Sequence, residues 1–258
     1  MRTLPGINRR AVGRALTEML EASVGEVLDR LDAAPTVRSH RIGITGPPGA
    51  GKSTLVSLLG AALLERGRSL GILAIDPTSP VSRGSVLGDR IRMDAIADDP
   101  RLFIRSVPSR GGLDGLCDNA GDLVLTMERQ GFDTVVLETV GVGQSEVAVR
   151  HLVDTMVLVV PPGAGDSVQA MKAGVTEIAD VYVVNKADMP EAERTRRDIA
   201  EIVDRRAAGL ADEAWRPRVV VTGRDGTGIA ALADVAIERE SFLKAHDDPQ
   251  AAARRGRS

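Results

Sequence analysis

Apolar residues recur along this chain with two different periods. Val12, Leu16, Met19, Leu20, Val24, Val27, Leu28 and Leu31 fall at three-and-four spacing, which predicts one amphipathic helix ahead of the main domain. The segment AAPTVRSHR then reads as a linker into a first strand. From there, short runs of Val, Ile and Leu alternate with helix-length stretches. Strands are predicted at 41–45, 70–75, 134–138, 155–160, 181–185 and 218–222, mostly apolar on both faces, as buried parallel strands require. Helices are predicted at 53–66, 115–129, 166–173, 191–206 and 229–245. Such alternation implies an α/β fold, a mainly parallel β-sheet flanked by helices, with a short N-terminal helical extension. The expected division is 1–40 for the extension and linker, 41–245 for the α/β domain, and 246–258 for a polar tail expected to be disordered.

Composition narrows the partners. The 258 residues are 43% hydrophobic and 27% charged, which suits one sizeable soluble domain. A net charge of −3 gives no reason to expect nucleic acid or an anionic membrane as a partner. Aromatics make up only 2%, so the core must be aliphatic. No apolar run reaches membrane-spanning length, and Arg, Glu and Gly interrupt MRTLPGINRRAVGRALTEML, so no secretory signal is expected. One cysteine, Cys117, excludes an intrachain disulfide and a Cys-rich metal site. It reads as a small core residue on the 115–129 helix, and the expected compartment is cytoplasmic.

Three segments carry chemistry. Gly46, Pro47, Pro48, Gly49, Ala50, Gly51, Lys52 and Ser53 match G-x-x-x-x-G-K-[ST] in full, between a strand and a helix. Glycines let several N–H groups turn toward one phosphate, and the helix adds its positive end. Lys52 is placed to neutralise phosphate, the Ser53 hydroxyl to ligate Mg2+, and Thr54 follows at the helix start. This makes the fold a P-loop NTPase. Asn185, Lys186, Ala187 and Asp188 form N-K-x-D at a strand end. A carboxylate at Asp188 accepts from guanine N1–H and its exocyclic amine; adenine offers neither donor there, so GTP and GDP are the expected ligands. The Lys186 stem can lie over the base, and Asn185 can tie this loop to the phosphate loop. Glu138 ends a strand, with Gly141 three residues on; Glu138 is the expected magnesium acid, and the Gly141 N–H a γ-phosphate donor. Asp76 and Asp89 are further metal candidates at the sheet's carboxyl edge. Alternatively, Asp76 makes a strand-end turn and Asp89 is a solvated charge.

GPPGAGKST, LAIDPTSP, GDRIRM, PSRGG, ETVGVGQSE and NKAD together resemble the MeaB/ArgK group, the methylmalonyl-CoA mutase-associated GTPases, over about residues 41–190. The resemblance implies a SIMIBI-type P-loop fold, related to the metallochaperone GTPases of nickel enzymes, and a homodimer. It also implies a partner, an adenosylcobalamin-dependent acyl-CoA mutase, whose cofactor loading and protection the GTPase would govern. By the same motifs, Lys52, Ser53, Asp76, Asp89 and Glu138 would hold phosphate and magnesium, and Asn185, Lys186 and Asp188 guanine. Asp166, Gln169 and Lys172 lie in what resembles the family's extra switch; a plain strand-to-helix connection is the other reading. Three features depart from the family pattern. The C-terminal helical arm is shorter, ending ESFLKAHDDPQAAARRGRS, which leaves the dimer open. The N-terminal helical part is also short. Gly223 and Arg224 replace the usual S-A of the last guanine loop, where a backbone N–H can still serve the guanine oxygen.

Signalling GTPases carry a water-orienting glutamine after the D-x-x-G glycine. Val142 stands there in this chain, with Gln144 two residues on, so slow intrinsic hydrolysis is expected. Arg83, Arg90, Arg92, Arg105 and Arg110 include a candidate for the γ-phosphate, though most read as a solvated basic face. A kinase needs an acceptor base, and His40, His246 and a His151 at a strand approach all read as structural or surface residues. A metal-delivery GTPase needs a Cys or His cluster, which the sequence lacks. A non-hydrolysing scaffold would not need phosphate, magnesium and base motifs together.

Overall fold

The computed structural model describes residues 7–22, 38–76, 96–108, 119–139, 145–163 and 179–246. Its core is a seven-stranded sheet with order β3-β2-β4-β1-β5-β6-β7. The strands are β1 His40–Thr45, β2 Leu70–Asp76, β3 Leu102–Pro108, β4 Thr134–Thr139, β5 Thr155–Val160, β6 Val181–Val184 and β7 Arg218–Val221. Every pairing is parallel. The helices are α1 Arg9–Glu21, α2 Lys52–Glu65, α3 Ala120–Arg129, α4 Ser145–Leu152, α5 Ala192–Ala207 and α6 Ile229–His246. The expected P-loop α/β architecture is therefore present.

The alternation of side chains along each strand sorts the helices into two layers. Ile42 and Ile44 of β1 join Leu55, Leu59 and Leu63 of α2 and Leu232 and Ala236 of α6. The opposite face of the sheet's first half packs α1, α3 and α4 on Leu73, Val135 and Leu137, and α5 covers Leu158, Tyr182 and Val184. Gly43 of β1 lets α4 lie close: a Cβ there would stand 2.7 Å from Val149 Cγ1. Helix α2 stops in a Schellman turn, with Gly67 at φ 80° and bonds from Arg68 N to Leu63 O and Gly67 N to Leu64 O.

The structure departs from the expected elements at β3, at α4, which was not predicted either, and at the end of α1. Strand β3 was not expected. It lies at the sheet's rim and is half-buried, so Arg105 and Ser106 interrupt the apolar run that marks an interior strand. His151 sits not at a strand approach but in the exposed last turn of α4. The amphipathic helix expected through Leu31 ends at Glu21, where Ala22 turns extended (φ −67°, ψ 142°); Val24, Val27, Leu28 and Leu31 lie outside the described residues. Val12, Leu16 and Met19 of this helix are buried in the same cluster as Leu73 and Leu137, each burial contributing about 1.5–3 kcal/mol. Strand β1, mostly apolar as expected, also buries two polar residues. Arg41 is buried in a bidentate pair with Glu128, at 2.7 and 3.1 Å, and His40 Nε2 meets Thr155 Oγ1 at 2.8 Å.

Candidate functional site

The phosphate loop leaves β1 after Thr45 and enters α2 at Lys52. Gly46 has φ 148°, and a Cβ there would lie 2.2 Å from the Val159 carbonyl oxygen, so only glycine lets the loop pass β5 this closely. Gly51 caps α2 in the left-handed region at φ 88°. Between them, Pro47 accepts from Ala50 N at 3.2 Å, Gly49 turns at φ 75°, and Pro48 lies exposed. Lys52 is buried, and its ammonium donates to the carbonyls of Gly46 (2.8 Å) and Pro47 (3.1 Å). The amine is thus drawn over its own loop, where the loop amides and the N-terminus of α2 favour an anion. Thr54 lies exposed in the first turn of α2.

Glu138 sits on β4 in register with Ile44 of β1 and Ala74 of β2, at the sheet's carboxyl edge. The Ser53 hydroxyl donates to Glu138 Oε1 at 2.7 Å across 85 residues of sequence. A neutral and an anionic hard oxygen meeting beside an anion-binding loop suit a small divalent cation. Asp76 is the last residue of β2, one step beyond Ile75, which is in register with Thr139; its backbone stands at the same edge. Asp89, Gly141, Val142, Gln144, Asp166, Gln169, Lys172 and Cys117 lie outside the described residues, as do Arg83, Arg90, Arg92 and Arg110. The remaining arginine candidate, Arg105, bonds Thr17 Oγ1 of α1 at 3.0 Å, which ties it to α1.

The base loop is joined directly to the phosphate loop. Asn185, buried at the end of β6, donates from Nδ2 to the Ala50 carbonyl at 2.8 Å, and its Oδ1 accepts from Thr222 Oγ1 at 3.0 Å. A Cβ on Gly51 would stand 2.5 Å from the same Nδ2, so Gly51 also makes room for this bridge. Lys186 is left-handed at φ 60°, the one non-glycine among the described residues with positive φ, and such strain is commonly kept at binding loops. Asp188 is exposed, and the Ala187 amide bonds Thr222 O at 3.0 Å. Thr222, Thr227 and Asp225 were not anticipated. Asp225 accepts from Thr227 N and Oγ1 at 3.1 and 2.9 Å, which folds the 222–228 loop. Those two hydrogen bonds from Thr227, the backbone one larger, hold the Asp225 carboxyl below its usual range. The Gly223 N–H donates to Thr227 O at 3.0 Å. Arg224 beside it is exposed.

No described histidine approaches this site as a base. His40 lies at the opposite, amino end of β1, His151 is exposed on α4, and exposed His246 stacks on Phe242 at 4.1 Å. Among the described residues no group of three or more His, Cys, Asp or Glu could hold a metal ion. No described helix is long and apolar enough to cross a membrane.

Comparison with known proteins agrees with this geometry. The family model described as methylmalonyl Co-A mutase-associated GTPase MeaB matches residues 13–258. A Pyrococcus horikoshii protein named as a GTPase is 41% identical over 239 residues, covering 92% of this chain and 75% of its own length. The mouse protein named methylmalonic aciduria type A homolog, mitochondrial, is 42% identical over 198 residues, 76% of this chain and 48% of that one. The crystal structure of an LAO/AO transport system kinase superposes with a TM-score of 0.71 at 27% identity, over 96% of this chain and 76% of that one.

Proposed function

Because the chain belongs to the family of methylmalonyl-CoA mutase-associated GTPases, and so is a GTPase, we propose that it uses a magnesium-dependent GTP cycle to gate an adenosylcobalamin-dependent acyl-CoA mutase. In this reading it controls loading of the mutase's cofactor and its protection. The observation that carries it is the Ser53–Glu138 hydrogen bond, which joins the phosphate loop to the strand that runs directly into residues 140–144. Loss of the γ-phosphate at that point is felt where the chain leaves the sheet.

Each residue then has a task. GTP draws the Lys52 ammonium off the carbonyls of Gly46 and Pro47 and onto its phosphate oxygens. N–H groups from Gly49 to Ser53 and the α2 N-terminus offset the remaining charge. Magnesium would be held by Ser53, with Glu138, Asp76 and Asp89 as the acids about it, and would supply charge neutralisation between the phosphates. Asn185 keeps phosphate and base loops in one geometry, Asp188 reads guanine, and Lys186 covers the base. With the Gly223 amide engaged, Arg224 takes the place beside the guanine oxygen. The Gly141 amide would sense the γ-phosphate. Val142 cannot orient water by hydrogen bonding, so turnover is slow until the partner completes the site.

The test pairs the purified chain with the mutase and measures phosphate release and cofactor transfer under GTP, GDP and a non-hydrolysable analogue. Nucleotide-dependent loading and faster hydrolysis with the mutase are expected. Fast hydrolysis by the chain alone, or loading indifferent to nucleotide, refutes the switch. The name of the transport-kinase neighbour favours a second reading, phosphate transfer to an acceptor; a phosphorylated acceptor in place of free phosphate would establish it. A homodimer is part of the first reading, and sedimentation under GTP tests it.

A further inference from the structure

Strand β3 is a rim of the sheet: among the described residues it pairs with β2 alone. Four consecutive residues, Leu102 to Arg105, line one groove of about 490 Å³. Successive side chains of a strand point to opposite faces. Four in a row meet one cavity only when that cavity runs along the strand's open edge. The far wall is α1, through Arg9 and Arg10, and Ala97 and Asp98 close the remainder.

The register tells which main-chain groups face this groove. The Arg101 carbonyl accepts from Leu70 N at 2.9 Å, so odd-numbered residues turn their main-chain groups toward β2. Ile104 and Ser106 therefore turn N–H and C=O outward. Pro108, next in that series, has no N–H, as a rim position allows. An edge of this kind is a template for another strand.

Charge specifies what that strand carries. Among the described residues lining the groove, three guanidinium groups, Arg9, Arg10 and Arg105, stand against one acid, Asp98. Two of them are held in place: Arg9 by the carbonyls of Ala97 and Asp99, both at 2.7 Å, and Arg105 by Thr17. Arg10 stands exposed on α1. We propose that this groove docks an extended acidic peptide segment of a partner protein as an eighth strand. Its main chain pairs with Ile104 and Ser106, its apolar residues rest on Phe103 and Ile104, and its carboxylates face the arginines. A small anion would use the arginines and leave the apolar wall and the open main chain without a role.

The experiment uses the full chain and a short fluorescein-labelled peptide of alternating Glu and Val, with a Lys–Val peptide as control. Anisotropy should show saturable binding of the acidic peptide alone. Amide exchange should slow at Ile104 and Ser106 when it binds. Arg10→Glu should weaken binding roughly tenfold. Ser106→Pro should abolish it while GTP binding persists. If that variant does not fold, Arg10→Glu and the exchange pattern still decide. Equal binding of both peptides, no binding of either, or an unchanged affinity in Arg10→Glu overturns the proposal. So does competition by inorganic phosphate with no change in exchange at Ile104 and Ser106, which would leave only an anion site.

Discussion

Replacing Asn185 by alanine tests whether the phosphate and base loops are mechanically one unit. The side chain makes two buried bonds, to Ala50 O at 2.8 Å and from Thr222 Oγ1 at 3.0 Å, and Ala50 and Thr222 are both 0% exposed. Truncation leaves a carbonyl and a hydroxyl without this partner. An orphaned buried group costs about 1–3 kcal/mol; the Thr222 hydroxyl can rotate, which puts it at the low end, so the total is about 2–4 kcal/mol. For a domain of this size, 1 kcal/mol moves the melting midpoint by about 2–4 °C, which predicts a fall of about 5–15 °C without nucleotide.

The assay is differential scanning calorimetry of the ligand-free chain, with Asp188→Ala beside it. Asp188 is exposed, so its loss should leave the ligand-free midpoint nearly unchanged while removing the preference for GTP over ATP. Asn185→Ala should lower both the midpoint and the affinity for every nucleotide, because the loops lose their common register. A ligand-free Asn185→Ala chain that melts with the wild type would refute the bridge. A loss of base selectivity alone would show that Asn185 acts on guanine rather than on the loops.

Three further outcomes follow. Asp188→Asn should move preference from GTP toward XTP, since an amide donor matches the xanthine oxygen where a carboxylate repels it; competition binding with both nucleotides checks this. Glu128→Ala should cost about 3–5 kcal/mol by stranding the Arg41 guanidinium, whereas Arg41→Met with Glu128→Leu should recover most of it, as urea midpoints would show. Burial raises the Glu240 pKa, but hydrogen bonds from Arg68 and Lys244, with the charges of His40 and Arg68, outweigh it, and the net value falls below 4.5. Its folded-state pKa is thus depressed, so its stabilisation is complete above about pH 4.5 and is lost as pH falls through the lower folded value. Urea midpoints near pH 6 and pH 3 should therefore differ more for the wild type than for Glu240→Gln.

What was legible in the sequence was local. The phosphate loop and N-K-x-D are contiguous runs whose chemistry depends on neighbours a few residues away, and both stand where their patterns put them. Five of the six expected strands lie inside the sheet, where parallel strands must be apolar on both faces, and β7, at the other rim, still carries the apolar run Val219 to Val221. Strand β3 escaped notice because LFIRSVP is half-exposed at the rim. Helix α4 escaped because eight residues with Glu, Arg and His carry too little periodicity. Thr222 could not be assigned to Asn185, nor Glu128 to Arg41, because those pairs are 37 and 87 residues apart and only strand register brings them together. The bond from Gly223 N–H to Thr227 O was not legible, because it depends on a fold of the loop that Asp225 creates.

The two ends of the sheet are built by opposite rules, and this bears on how a nucleotide signal travels. At the amino end, an aspartate immediately precedes each of three strands and accepts from the start of a neighbouring strand. Asp133 before β4 takes Ser69 N at 2.9 Å, Asp154 before β5 takes Arg41 N at 2.8 Å, and Asp180 before β6 takes Met156 N at 2.8 Å. Arg150 and Arg239 then neutralise Asp180 at 2.9 and 3.4 Å. Strand starts are thus stitched β2 to β4, β1 to β5 and β5 to β6, and sliding β1, β5 or β6 would strand a buried carboxylate, Asp154 or Asp180. At the carboxyl end, apart from the Asn185 bridge, several polar groups about the phosphate loop make bonds a ligand can replace: Lys52 rests on carbonyls, Ser53 on Glu138, and Asp188 stands exposed. A sheet locked at one end and exchangeable at the other cannot relay nucleotide loss by shearing its strands. On the proposed switch reading, the change would leave through the carboxyl edge, where Glu138 itself is bonded to Ser53 of the phosphate loop.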